Sequence, residues 1–164
     1  CTIRVDVIKE PKDIHFELLG HPTGSIEVVL VAAKEGRMTG GGSVFGGPVR
    51  YTHGFRVRCD GSRPDNLQIN WGRGNRFHLN SVTGVVCFDD PGIDEGNPAA
   101  GFDTLLATGL GRLTGVLFTP IWFHFTDDGE PGKGVDRSEF MIGGSPIVSG
   151  FLDSGNHQAH RIRP

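Results

Sequence analysis

What this chain lacks narrows it first. No apolar run approaches the roughly 18 residues that a membrane-spanning helix requires; the longest stretches, Ile26–Ala33 and Val116–Phe125, have strand length or are broken by polar residues. There is no basic stripe. Lys and Arg number 16 against 19 Asp and Glu, the formal net charge is -3, and the only short cationic cluster is Arg161 with Arg163, so nucleic-acid binding is not expected. Neither a G-x-S-x-G turn nor a D-x-D-x-D-G calcium loop occurs. The 26 glycines keep no period of three, which excludes collagen. The chain begins at Cys1 with no initiator Met, and a processed or trimmed N-terminus is expected.

What is present is glycine and proline between short alternating segments. Strands are predicted at Val49–Arg58, Leu67–Trp71, Arg76–Leu79, Thr83–Phe88, Thr104–Leu113, Thr119–Thr126, Arg137–Ile142 and Ile147–Leu152, with turn signals such as Asp60-Gly61, Asp90-Pro91-Gly92 and Asp128-Gly129 between them. Leu105, Leu106, Leu110 and Leu113 also fit helical spacing, but Gly109, Gly111 and Gly115 interrupt it, each at about 1 kcal/mol in a helix, and a strand is preferred. Gly40-Gly41-Gly42 offers nothing to pack, so a bulged or closely approached backbone is expected there rather than a strong strand. The fold class is all-β: an immunoglobulin-like or jelly-roll-like sandwich.

Residues 1–36 have another texture. Ile3, Val5 and Val7 alternate with Arg4 and Asp6 as in a half-buried strand, Pro11 interrupts it, and Ile26–Val31 reads as a strand covered on both faces. We divide the chain into an arm, 1–13, and one domain, 14–164. The arm needs backbone partners. It either pairs in its own sheet or adds to a neighbour's, and head-to-tail donation of that kind builds a filament.

Cys59 and Cys87 lie 28 positions apart on predicted strands. A disulfide between them would place the protein outside the cytoplasm; two buried thiols are the alternative. Cys1 is left over, for an intermolecular bond, a lipid anchor or a free thiol.

The segments MTGGGSVF (Met38–Phe45), THGF (Thr52–Phe55), NWG (Asn70–Gly72), NRFHL (Asn75–Leu79), CFDDP (Cys87–Pro91), PAAGFDT (Pro98–Thr104), FTDDGEPG (Phe125–Gly132) and SGFLDSGNHQAH (Ser149–His160) stand in order along the chain. Together they resemble an MTGGGS/GNHQAH-type module of secreted and surface-anchored bacterial proteins, over roughly residues 28–161. The resemblance implies an extracellular bacterial context and a Cys59–Cys87 bridge. It implies no activity.

Few residues suggest chemistry. His157 and His160 form an H-x-x-H pair, with His53 and His78 as conceivable further ligands. On a strand, positions i and i+3 face opposite ways, so structural hydrogen bonding is preferred to metal. Asp127, Asp128 and Glu130, like Asp89 and Asp90, could offer oxygens to calcium, though Asp-Gly pairs also serve turns. The expectation is therefore no catalytic residue, no cofactor and no metal. The leading reading is an extracellular structural subunit of a bacterial surface. It is expected to assemble with itself by donating the strand of Ile3, Val5 and Val7. A carbohydrate- or calcium-dependent adhesion module, with a surface glycan as partner, is the runner-up, and an enzyme comes third.

Overall fold

The computed structural model describes residues 3–5, 16–18, 35–93 and 100–161. Among the described residues eleven strands form: β1 (Ile3–Val5), β2 (Phe16–Leu18), β3 (Arg37–Gly46), β4 (Val49–Arg58), β5 (Asn66–Trp71), β6 (Asn75–Phe88), β7 (Thr104–Leu113), β8 (Val116–Thr126), β9 (Arg137–Ile142), β10 (Val148–Phe151) and β11 (Ser154–His160). The fold among these residues is all-β. The strand β1 pairs with β2 of its own chain, Ile3 opposite Leu18 and Val5 opposite Phe16. Cys1, Val7, Pro11 and the run 26–31 lie outside the described residues.

The remaining strands make one nine-stranded antiparallel sheet in the order β10-β9-β8-β7-β6-β5-β4-β3-β11. From β3 to β10 every strand pairs with its neighbour in sequence, as in an up-and-down meander. Immunoglobulin-like and jelly-roll-like sandwiches use Greek-key crossings; here β3 to β10 run neighbour to neighbour, and the one non-sequential pairing among the described residues is β11 beside β3. The sheet curls. Its edge strands β10 and β11 are joined by Leu152 and Asp153 alone, and Asp153 N–H donates to the Ser43 carbonyl of β3 at 2.8 Å. Opposite halves of one sheet therefore face each other: the rings of Phe55 (β4) and Phe125 (β8) are 4.3 Å apart, and those of Tyr51 (β4) and Phe140 (β9) 5.6 Å.

Alternation fills the interior. Val57, Leu67, Ile69, Phe77, Phe123, Phe125 and Phe140 are fully buried, in keeping with a small curled sheet whose inside is packed with side chains. Cys59 and Cys87 are bonded, with Cα atoms 5.5 Å apart. The two strands predicted at 76–79 and 83–88 are one strand, β6, with register shifts between Leu79 and Ser81 and between Val82 and Gly84; each extra residue is a bulge that bends the strand. Opposite it, Gly109 leaves room for Leu79, whose Cδ1 would lie 2.6 Å from an added Cβ. Residues 104–113 are accordingly strand, as preferred over helix. The glycine segment 37–46 is also a ten-residue strand, stronger than expected, because a second backbone lies close against it.

The meander gives the sheet two unlike ends. One carries the tight hairpins. Their residues 45–50, 70–76, 112–119 and 141–148 include Arg50, Arg73, Arg76 and Arg112 and no carboxylate. Exposed apolar side chains gather there as well: Phe45, Val116, Leu117, Phe118, Met141 and Ile147. The other end carries the longer loops, with Asp60, Asp65, Asp89, Asp90, Asp103, Asp127, Asp128, Glu130 and Asp136 against Arg63 and Lys133.

Candidate functional site at the closure of the sheet

Four of the motifs, MTGGGSVF, THGF, FTDDGEPG and SGFLDSGNHQAH, converge where β11 meets β3. In this ladder Gly40 stands opposite His157, Gly41 opposite Asn156, Gly42 opposite Gly155 and Ser43 opposite Ser154. A Cβ on Gly40 would lie 2.6 Å from the Asn156 carbonyl oxygen and 2.8 Å from His157 Cα, closer than packed atoms tolerate. A Cβ on Gly42 would collide with the Ser154 carbonyl. The MTGGGS glycines are the space into which GNHQAH packs.

His157 is fully buried and points inward. Its Nδ1 lies 2.9 Å from the Thr126 carbonyl. A carbonyl only accepts, so Nδ1 carries the proton and Nε2 is a bare acceptor. His53 Nε2, 2.9 Å away, must then donate to it. Ser138 Oγ sits beside both, 3.2 Å from His53 Nε2 and 3.4 Å from His157 Nε2. Phe125 stacks on His53 at 5.3 Å, and Phe55 meets His157 edge-on at 5.0 Å. Burial, with the neighbouring His157, holds His53 down to about 3. Burial holds His157 to about 4 against the Thr126 bond. Both rings are neutral: a proton on His157 Nε2 would set a second donor against the His53 N–H, and one on His53 Nδ1 would leave a buried donor with no acceptor.

Carboxylates from the β8–β9 loop line the outer edge of β11. Asp136 accepts from His157 N–H at 2.6 Å and Asp128 N–H at 2.8 Å, and Asp127 accepts from Ala159 N–H at 2.7 Å. Glu130 accepts from the side-chain amides of Asn156 at 2.8 Å and Gln158 at 2.6 Å. Burial raises Asp136 to about 6 and raises Asp127, while its two amide donors lower Glu130. These side chains replace a neighbouring strand, satisfying an edge that would otherwise be open.

The residues considered for metal thus occupy separate posts. His160 turns away from His157 and bonds Thr39 Oγ1 at 2.8 Å; His78 lies in an outer groove with Arg112. Asp90 is in its own turn, accepting from Gly92 N–H at 2.9 Å. Among the described residues no three His, Cys, Asp or Glu side chains form a metal-holding group. Sequence reasoning treated His53 only as a conceivable ligand and missed Ser138 and Asp136. The usable signal was the glycine run, which demanded a closely packed partner strand.

No protein-family model matches the chain, and no curated protein or solved structure does.

Proposed function

We propose that the protein is an extracellular, non-catalytic structural subunit of a bacterial surface. The observation that carries this reading is the His53–His157 pair. It is the most reactive constellation in the motifs, yet it is buried, neutral and used to close the sheet. A catalytic imidazole needs a proton affinity near the working pH and reach to a substrate; rings held at about 3 and about 4 inside an aromatic cluster have neither. The Cys59–Cys87 bond supports an oxidising compartment.

In its finer form the proposal is a fibre protomer that donates the strand of Ile3, Val5 and Val7 to the next copy, with Cys1 available for a covalent link. The acceptor edge is not β11, which the carboxylates occupy. It is the outer edge of β10, which ladders with β9 alone and would have to part from Val44 of β3, packed against Gly150, to admit a strand. Electron microscopy of the purified protein tests this. Filaments that vanish on deletion of residues 1–10, with monomers that take up the missing peptide in trans, support donation. Monomers at high concentration, or a deletion that unfolds the domain, contradict it.

A polar groove of about 540 Å³ lined by Arg50, Gln68, Asn70 and Trp71 favours a second reading, glycan adhesion. Titration with oligosaccharides against wild type and Trp71→Ala distinguishes it.

A further inference from the structure

The β7–β8 hairpin ends in a two-residue turn, Thr114 at φ 41° and Gly115 at φ 96°, with both residues left-handed as the tightest hairpins require. Beyond it stand Val116, Leu117 and Phe118, exposed by 64%, 58% and 79%. The β9 ladder reaches only to Ile142 opposite Ile121, so this apolar triplet projects past the neighbouring strand. Phe118 has φ 59°, a backbone region that costs a bulky residue of order 1 kcal/mol or more. Three large apolar side chains held out in water, one of them on strained backbone, need a partner.

Chemistry at the foot of the tip indicates which partner. A groove of about 270 Å³ is lined by Arg76, His78, Arg112 and Thr114. Arg76 is fixed to the tip through its backbone: its carbonyl accepts from Thr114 N–H at 2.8 Å and its own N–H donates to Thr114 Oγ1 at 3.2 Å. A second groove continues past Arg73 and shares Arg76. No carboxylate occurs in any of the four hairpins at this end. An apolar wedge over an arginine-lined groove matches the layering of an anionic phospholipid surface, hydrocarbon above phosphate. The acidic loops of a second copy would answer the arginines but not the projecting triplet.

We infer that the hairpin end of the sheet docks on anionic phospholipid, with Val116, Leu117 and Phe118 entering the interface and phosphodiester groups lying between Arg76 and Arg112. This does not depend on fibre assembly. Loss of filaments leaves it standing, and loss of lipid binding leaves the assembly proposal standing.

The test is co-sedimentation of the full chain with vesicles of phosphatidylcholine alone or mixed with phosphatidylglycerol, at low and high salt. Binding is expected only to the mixed vesicles and is expected to weaken with salt. Arg76→Gln and Arg112→Gln each lower partitioning about five-fold. The double change Leu117→Ser with Phe118→Ser lowers it about ten-fold or more. As an independent readout, Leu117→Trp shifts its emission to the blue with mixed vesicles. Equal binding to both vesicles, no binding to either, unchanged Trp emission, or binding to soluble phosphate polymers that ignores the tip changes would each overturn the inference. So would self-association that requires the tip while vesicles are ignored.

Discussion

The two ends of the sheet join the same strands, one by tight hairpins and the other by longer loops, and they use their side chains in opposite ways. At the closure, near the acidic loops, almost every polar group is bonded: Asp136 to His157, Asp127 to Ala159, Glu130 to Asn156 and Gln158. At the hairpin end, Val116, Leu117 and Phe118 are exposed and arginines have no carboxylate beside them in the hairpins; Arg50 reaches down the sheet to Asp153 at 3.4 Å. The contrast teaches that the MTGGGS and GNHQAH motifs meet a structural demand. The crowded end holds the fold closed, and the sparse end is free to meet something else.

The contrast breaks most completely if the closure tolerates bulk. Gly40→Val is expected to cost more than about 4 kcal/mol or abolish folding, because its Cβ has no room. Gly54→Ala, where an added Cβ meets nothing within 4 Å, is expected to change stability by under about 0.5 kcal/mol. Denaturant unfolding measures both. Next in size, replacing Cys59 and Cys87 with Ala is expected to cost about 2–5 kcal/mol; a non-reduced digest recovers the linked peptide from wild type. His157→Gln strands the Thr126 carbonyl and the His53 donor, and is expected to cost roughly 1–3 kcal/mol.

Acid sharpens the comparison further. The unfolded chain takes up protons on histidine near 6.5, whereas His53 and His157 in the fold refuse them until about 3 and about 4. Their stabilisation is present above about pH 6.5 and is lost as pH falls toward those values. Asp103 and Asp136 have the opposite sign. Burial raises both to about 6, so their contribution is full below the free carboxyl value of about 3.9 and is lost as pH rises through 6. The pairs oppose each other between pH 4 and 6. Wild type is therefore expected to show a shallow thermal profile there, and Asp103→Asn a steeper fall with acid. The smallest effect is at the hairpin end, where Leu117→Ser is expected to leave stability within about 0.5 kcal/mol.

The strands were legible wherever polar and apolar residues alternate, as in β4, β8 and β9, and the Cys59–Cys87 pair was legible from placement. The strand character of β3 was not, because Gly40–Gly42 carry no side chains to alternate; their meaning lies in β11, 115 residues or so further on. Asp127 and Glu130 were legible as acidic loop residues, but not as caps on a strand edge, since that role depends on the curl. The closing arrangement itself, meander rather than Greek key, depends on which strands meet after curling, and alternation says nothing of that.

The claim that the motif histidines close the fold rather than perform chemistry is tested most directly by nitrogen-15 NMR of the imidazole rings across pH. The account predicts that His53 and His157 are both neutral at pH 5, His157 protonated on Nδ1 and His53 on Nε2, with slow exchange against solvent. A charged ring at pH 5, the opposite tautomers, or rapid exchange at either position would contradict it.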